Sequence, residues 1–354
     1  MHNDLRKDRD YEQEKCINMC RGSLLSGKSN ATVSPQASVW MALSAFTMAE
    51  ILLSLTIIGV VAAITLPSLT GNINERTWNT QRKALYARMS QAISLMPALN
   101  GYGTLTEDES GSITADTATE TFIANGLAKV LKINNICDSE HLADCGMPAK
   151  IGTFAGSNVT MPLKMSELNS TLVSTSNDAS HSQIDTMAAA FETQNGESIT
   201  AYYNPRCTSQ MKSVNNAISM MPQGAVCANL IYDLNGTKGP NTIGKDIGFI
   251  TIFYSTDSMV VAPYPHSQDA ASSVGNADIG RVCKQQDSEY RLPTKEELVS
   301  VWVNEKFLGN LNADRYWSAS VNLNMDHPWY IRTANGAVSY LNEHMSMAAR
   351  CIKR

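Results

Sequence analysis

The sequence predicts an α+β protein: one long amino-terminal helix packed on a small antiparallel sheet, followed by a second α+β domain at the carboxyl end. Three observations carry that expectation. An uncharged apolar run over residues 51–74 continues into a stripe of apolar residues at helical spacing. β-Branched and aromatic residues concentrate at 198–203, 226–234 and 246–261, as strands require. Residues 263–280 carry Pro, Ser, Gly, Asn and Ala without periodicity, and read as a linker before a terminal segment.

Length and charge bound the rest. The 354 residues suffice for two domains, and 43% apolar residues can fill a core in each. Lys and Arg number 28 against 33 Asp and Glu, a net charge of -5 with no basic block. Nucleic acid is therefore excluded as a partner, because its affinity rests on neutralising phosphates. Charged residues are only 17% of the chain, below the roughly 25% of ordinary globular domains.

The run 51–74 holds no charged side chain and is long enough for the roughly 20 residues that cross a hydrocarbon core. No small-x-small cleavage site follows it, so an ordinary secretory signal does not fit. Trp78, Leu85, Met89, Ala92 and Met96 then recur at spacings of seven, four, three and four, with Arg76, Lys83 and Arg88 largely off that stripe. Met96-Pro97, with Asn100-Gly101 just beyond, reads as a stop. The predicted helix, 46–96, is about 77 Å long at 1.5 Å per residue.

The segment Ser44-Ala45-Phe46-Thr47-Met48-Ala49-Glu50-Ile51-Leu52-Leu53 resembles the class III leader of type IV pilins and type II secretion pseudopilins. In that family a prepilin peptidase and methyltransferase cuts before a Phe and leaves the apolar run in place. The resemblance implies cleavage between Ala45 and Phe46, with residues 1–45 removed. It also implies an N-methylated Phe46, a Glu at the fifth mature position (Glu50) and a kinking Pro at the twenty-second (Pro67). Ala45 departs from the family's usual Gly but is also small. A carboxylate at the start of a membrane-embedded helix is costly without a partner. The expected partner of Glu50 is the new amine of Phe46 on a neighbouring subunit, with Phe46, Glu50 and Pro67 as the assembly residues.

Beyond that helix, residues 98–262 are expected to form a globular head resembling that of pilins. Within it 101–130 and 166–182, rich in Thr, Ser and acidic residues, read as surface loops. Removing 1–45 takes away Cys16 and Cys20 and leaves Cys137, Cys145, Cys207, Cys227, Cys283 and Cys351. Six cysteines in an exported chain point to disulfides, with 15 pairings open. Proximity and shared domain favour Cys137 with Cys145, Cys207 with Cys227, and Cys283 with Cys351.

Two loops match ligand patterns. Residues 22–29 spell G-x-x-x-x-G-K-S, but no strand precedes and no helix follows, so the match to a phosphate loop is fortuitous. Asp233, Asn235 and Thr237, with Asp246 beyond, alternate oxygen side chains as a calcium loop requires, though the spacing is not that of an EF-hand. The competing reading is a glycine-rich turn closed by Asx hydrogen bonds. Some pseudopilins carry calcium in a comparable late loop, so the resemblance allows a structural calcium.

In the terminal segment, Arg291-Leu292-Pro293-Thr294-Lys295-Glu296-Glu297-Leu298, Tyr316-Trp317-Ser318-Ala319-Ser320, Trp329-Tyr330-Ile331 and Ala349-Arg350-Cys351-Ile352 resemble the Legionella collagen-like protein C-terminal domain family. That resemblance implies a C-type-lectin-like domain over 281–354. Thr294 with Glu297 independently spells a capping box. The triplets of calcium-dependent sugar binding are missing, so Trp302, Trp317, Trp329 and Tyr340 read as core aromatics before glycan platforms. No nucleophile elbow or metal-spaced His pair occurs, and Asp326-His327 reads as surface, so no enzyme activity is expected.

Together these readings predict a minor pilin. It is inserted once in the inner membrane, then carried into a periplasmic or extracellular filament by helix-to-helix contact with other pilin subunits, and its terminal domain recognises a host or surface glycan or protein. The alternatives are a type II secretion pseudopilin and, from a different class, a membrane-tethered enzyme.

Overall fold

The computed structural model describes residues 47–100, 114–173, 185–205, 207, 211–214, 217–220, 226–253, 260–263, 267–274, 279–286, 290–309, 311–322, 327–340 and 346–353. The leader 1–45, Phe46, the 22–29 motif and Asp326 lie outside them. The chain divides into two units, Met1–Ala63 and Ile64–Arg354.

In the first unit, helix α1 (Met48–Asn100) begins. Thr47 stands just before it, and its main-chain N–H donates to Glu50 Oε2 at 2.9 Å while Glu50 N donates to Thr47 Oγ1 at 3.3 Å. This is a reciprocal cap, so Glu50 is engaged by the first turn of its own helix. Ile51, Leu52, Leu53, Leu55, Ile57, Ile58, Val60 and Val61 all present exposed side chains. Among the described residues no helix is long and apolar enough to cross a membrane. The uncharged run read from the sequence enters them only in part, since the side chains of residue 62 and of 64–74, Pro67 included, lie outside.

In the second unit, α1 turns a buried face to a six-stranded antiparallel sheet. The strands are β1 (Ile133–Cys137), β4 (Ala189–Thr193), β5 (Ser198–Tyr203), β8 (Val226–Asp233), β9 (Ile247–Phe253) and β10 (Val260–Pro263), hydrogen-bonded in the order β1-β4-β5-β8-β9-β10. A short hairpin, β2 (Lys150–Gly152) with β3 (Asn158–Thr160), stands apart. Leu85, Met89, Ala92 and Met96 are all buried, as the stripe requires, and the first, second and fourth cluster with Phe191, Ile199, Ala201, Leu230, Tyr232, Ile250 and Ile252. Arg88, off the stripe, pairs with the buried Glu197. The helix runs through Pro97 to Asn100, four residues past the predicted stop.

Because side chains alternate across a strand, the other sheet face carries Ala190, Tyr202, Ile231, Phe249 and Phe253 into a second cluster. There they meet α5 (Lys295–Val303) and α6 (Glu305–Leu308), through Leu298, Trp302, Phe307 and Leu308. The sheet is thus covered on both faces, which explains why β5, β8 and β9 are buried along their whole length. The head and terminal segment share a core; residues 64–354 are one compact unit.

The terminal segment builds a larger sheet. Strands β11 (Ser267–Val274), β16 (Met347–Lys353), β13 (Arg315–Asn322), β14 (His327–Arg332), β15 (Val338–Tyr340), β7 (Ala217–Met220) and β6 (Met211–Val214) lie in that order, with β12 (Tyr290–Arg291) also on β16. Most pairs are antiparallel; β13 with β16 is parallel. The expected linker 263–280 is corrected here. Its middle is β11, which runs along β16, and its end opens helix α4 (Ile279–Gln286). Small residues such as Ala270, Ala271, Ser272 and Ser273 left no periodic signal, and main-chain pairing with β16 makes the strand. Hairpin β6–β7, which comes from the head, pairs Met220 with Val338.

Two expected loops are also corrected. Helices α2 (Ala118–Thr121) and α3 (Met165–Leu168), with the turns that follow them, bury Phe122, Ile123, Leu127, Leu168 and Leu172. A few large apolar residues at helical spacing outweigh the polar majority around them. Disulfides join Cys137 to Cys145, Cys207 to Cys227 and Cys283 to Cys351.

Candidate functional site

The loop between β8 and β9 gathers the most unusual polar chemistry of the described residues. Strand β8 delivers Asp233, wholly buried, and β9 is preceded by Asp246, also wholly buried. Asp246 is held by main-chain donors: Asn241 N to Oδ2 at 2.9 Å and Thr242 N to Oδ1 at 2.8 Å. Asp233 Oδ1 accepts from Asn235 N at 3.0 Å, while Asp233 Oδ2 is buried with no donor. Asn235 Oδ1 and Asn241 Oδ1 are likewise buried without a donor.

Unpartnered buried acceptors are costly, each about 1–3 kcal/mol, so three in one loop call for a partner: an ordered water, a cation or, at Asp233, a proton. Burial pushes the Asp233 carboxyl up to about 7, and the nearby Asp246 carboxylate adds to the rise. Asn241 also sits at φ 48°, a left-handed conformation that an Asn tolerates better than most residues.

The sequence reading named Asp233, Asn235, Thr237 and Asp246. The structure brings the first, second and fourth together, while Thr237 is exposed on the same loop. Asn241 was missed. Its signal is the Gly239-Pro240-Asn241 turn, which alternation counted from Asp233 does not reach. Asx hydrogen bonds do close the loop, yet they leave the three oxygens unsatisfied. Among the described residues no group of three or more His, Cys, Asp or Glu comes together, since this loop holds two acids and two amides. All-oxygen donors of this kind suit a hard cation such as calcium, so the residues fit the group.

Helix α1 grips this loop. Arg82 Nη2 donates to Gly244 O at 3.1 Å and Lys245 O at 2.8 Å, and its Nη1 donates to Asn79 Oδ1 at 2.7 Å. Burial drives the Tyr232 hydroxyl up to about 12, against a smaller opposing effect of the Arg82 guanidinium.

In the terminal segment, Thr294 and Glu297 form both halves of the capping box. Arg291 adds two contacts to Glu297, at 2.7 and 2.6 Å, and that pairing raises the guanidinium pKa further. Trp302 and Trp317 are fully buried, and Trp329 and Tyr340 nearly so in a T-shaped pair 5.1 Å apart, all in the core as read. Lys295 Nζ lies 4.7 Å above the Trp329 ring. His327 opens strand β14 and is half-buried, which corrects its reading as a surface loop residue. A cavity of about 380 Å³ opens between α1 and the β1–β4 end of the head, lined by Arg88, Gln91, Leu95, Leu131, Lys132 and Gln194.

A scan against protein-family models finds no match to this chain, and no curated protein matches it.

Proposed function

We propose that this chain is a minor pilin, a subunit of a type IV pilus-like filament that presents its terminal domain to a surface ligand. The observation that carries the reading is α1 itself. Its residues 51–61 expose eight large apolar side chains, whereas Leu85, Met89, Ile93 and Met96 bury theirs against the head sheet. Exposed apolar surface of that extent demands cover, and like helices in a filament, or the inner membrane before assembly, supply it. Resemblance of 44–53 to a class III leader supports processing at Ala45–Phe46. Disulfides support an oxidising compartment outside the cytoplasm.

The reciprocal cap of Glu50 by Thr47 gives the carboxylate a partner before assembly. Cleavage at Phe46 then places a free amine one residue from that cap, where a neighbour's Glu50 competes for it. We read the terminal domain as C-type-lectin-like, with its recognition surface away from the buried tryptophans, and the 233–246 loop as a structural calcium site.

The test is amino-terminal analysis of filament-associated protein by mass spectrometry. A first residue of N-methylated Phe46 is the expected result. A soluble form beginning far downstream of residue 61 rejects the reading. A filament whose loss blocks protein export but not adhesion would instead favour the pseudopilin reading.

A further inference from the structure

We propose that Arg82 couples cation occupancy of the 233–246 loop to helix α1, so that a divalent cation bound in the loop stiffens the helix beneath the head; this rests on the calcium reading of the loop. The contacts form one continuous path. Asp246 accepts from the amides of Asn241 and Thr242. The two residues before it, Gly244 and Lys245, turn their carbonyls to a single guanidinium nitrogen of Arg82. Arg82 is itself held by Asn79, one turn earlier on α1, and its charge acts on the Tyr232 hydroxyl. Tyr232 is fixed in turn, because Gly248 faces it with no space for a side chain: a Cβ there would lie 2.2 Å from the hydroxyl.

Without a cation, Asp233, Asn235 and Asn241 each keep a buried oxygen without a donor in this loop. Opening the loop to water relieves them, and an opening that shifts the turn carrying Asp246 takes the carbonyls of Gly244 and Lys245 off Arg82. With a cation, the oxygens are satisfied, the closed loop persists and Arg82 keeps its acceptors. Such coupling is reciprocal: whatever the cation does for Arg82, Arg82 does for the cation. Arg82 is thus a positioning residue that acts through the turn carrying Asp246.

The experiment uses the full chain in detergent, with calcium chloride as the probe, in wild type, Arg82→Met, Arg82→Lys and Asp246→Asn. Calorimetry reads affinity, and hydrogen exchange reads peptides over 75–96 and 233–253. Wild type is expected to bind calcium and to gain protection in both peptides, and Asp246→Asn to lose both effects. Arg82→Met should bind about tenfold more weakly, the low end for groups that orient metal ligands, and gain protection in the loop alone. Arg82→Lys, which keeps the charge but not the fork, should fall between. A merely structural Arg82 would lower thermal stability equally with and without calcium, leaving the calcium-induced rise and the affinity unchanged, and that result overturns the proposal. Calcium that protects the wild-type loop while leaving 75–96 unchanged overturns it too, with the calcium site intact. No binding by wild type removes the site and the coupling with it.

Discussion

The side-chain amides of Asn229 and Asn304 donate to one another across the join between head and terminal segment, at 2.8 and 3.1 Å, and both residues are wholly buried. Thr251 adds a hydroxyl bond to Asn229 Oδ1 at 2.9 Å and lies 2.6 Å from Ser300 Oγ, and Asn304 also donates to Ser300 O. A satisfied polar cluster inside an apolar interface fixes how α5 and α6 register on the sheet, because any sliding leaves amides without partners.

Asn304→Ala should therefore destabilise by about 1–3 kcal/mol, the cost of stranding the Asn229 amide in the interior. Urea denaturation of the single variants and of Asn229→Leu with Asn304→Leu checks this. The double variant should be less destabilised than the sum of the singles, because it removes both halves of the pair. Strict additivity rejects the coupling.

Asp233 gives a pH dependence whose sign follows from its environment. Its folded-state carboxyl is pushed up to about 7, against about 3.9 in an unfolded chain. The folded protein then holds the proton more tightly, so this residue costs stability as pH rises from about 4 to 7. In the presence of a chelator, wild type should lose more melting temperature between pH 5 and 8 than Asp233→Asn does. Parallel curves for the two proteins count against the assignment. Added calcium should flatten the wild-type curve.

Gly248→Ala should lower stability by about 1–3 kcal/mol, as overpacking does. The added Cβ would meet the Tyr232 hydroxyl, and that residue is buried beneath Arg82. A melting curve unchanged from wild type would show that Tyr232 moves freely.

Removing the Cys283–Cys351 bridge, which spans 68 residues, with serine at both positions should cost about 2–5 kcal/mol. The loss should appear in chemical denaturation as a lower midpoint, and chiefly in exchange protection of α4 and β16, which the bridge connects. Unaltered protection there would mean that the sheet alone holds the carboxyl end.

What the sequence determined alone was whatever depends on local periodicity. The stripe of Leu85, Met89, Ala92 and Met96 names the face of α1 that is buried, the β-rich runs mark β5, β8 and β9, and Thr294 with Glu297 announces the start of α5. The oxygen pattern at 233, 235 and 246 was also legible, because strand ends and turns write their polar residues locally. Tertiary structure alone decided which strands share a sheet, placing 267–274 beside the carboxyl-terminal strand and a hairpin of the head beside Val338. It decided equally that Asn241 turns a buried oxygen without a donor into the loop, that Arg82 reaches the loop from 162 residues away, and that Asn229 meets Asn304. The physical reason is common to all of these: main-chain pairing and long-range hydrogen bonds depend on where distant segments come to rest, and no spacing within a single segment encodes that.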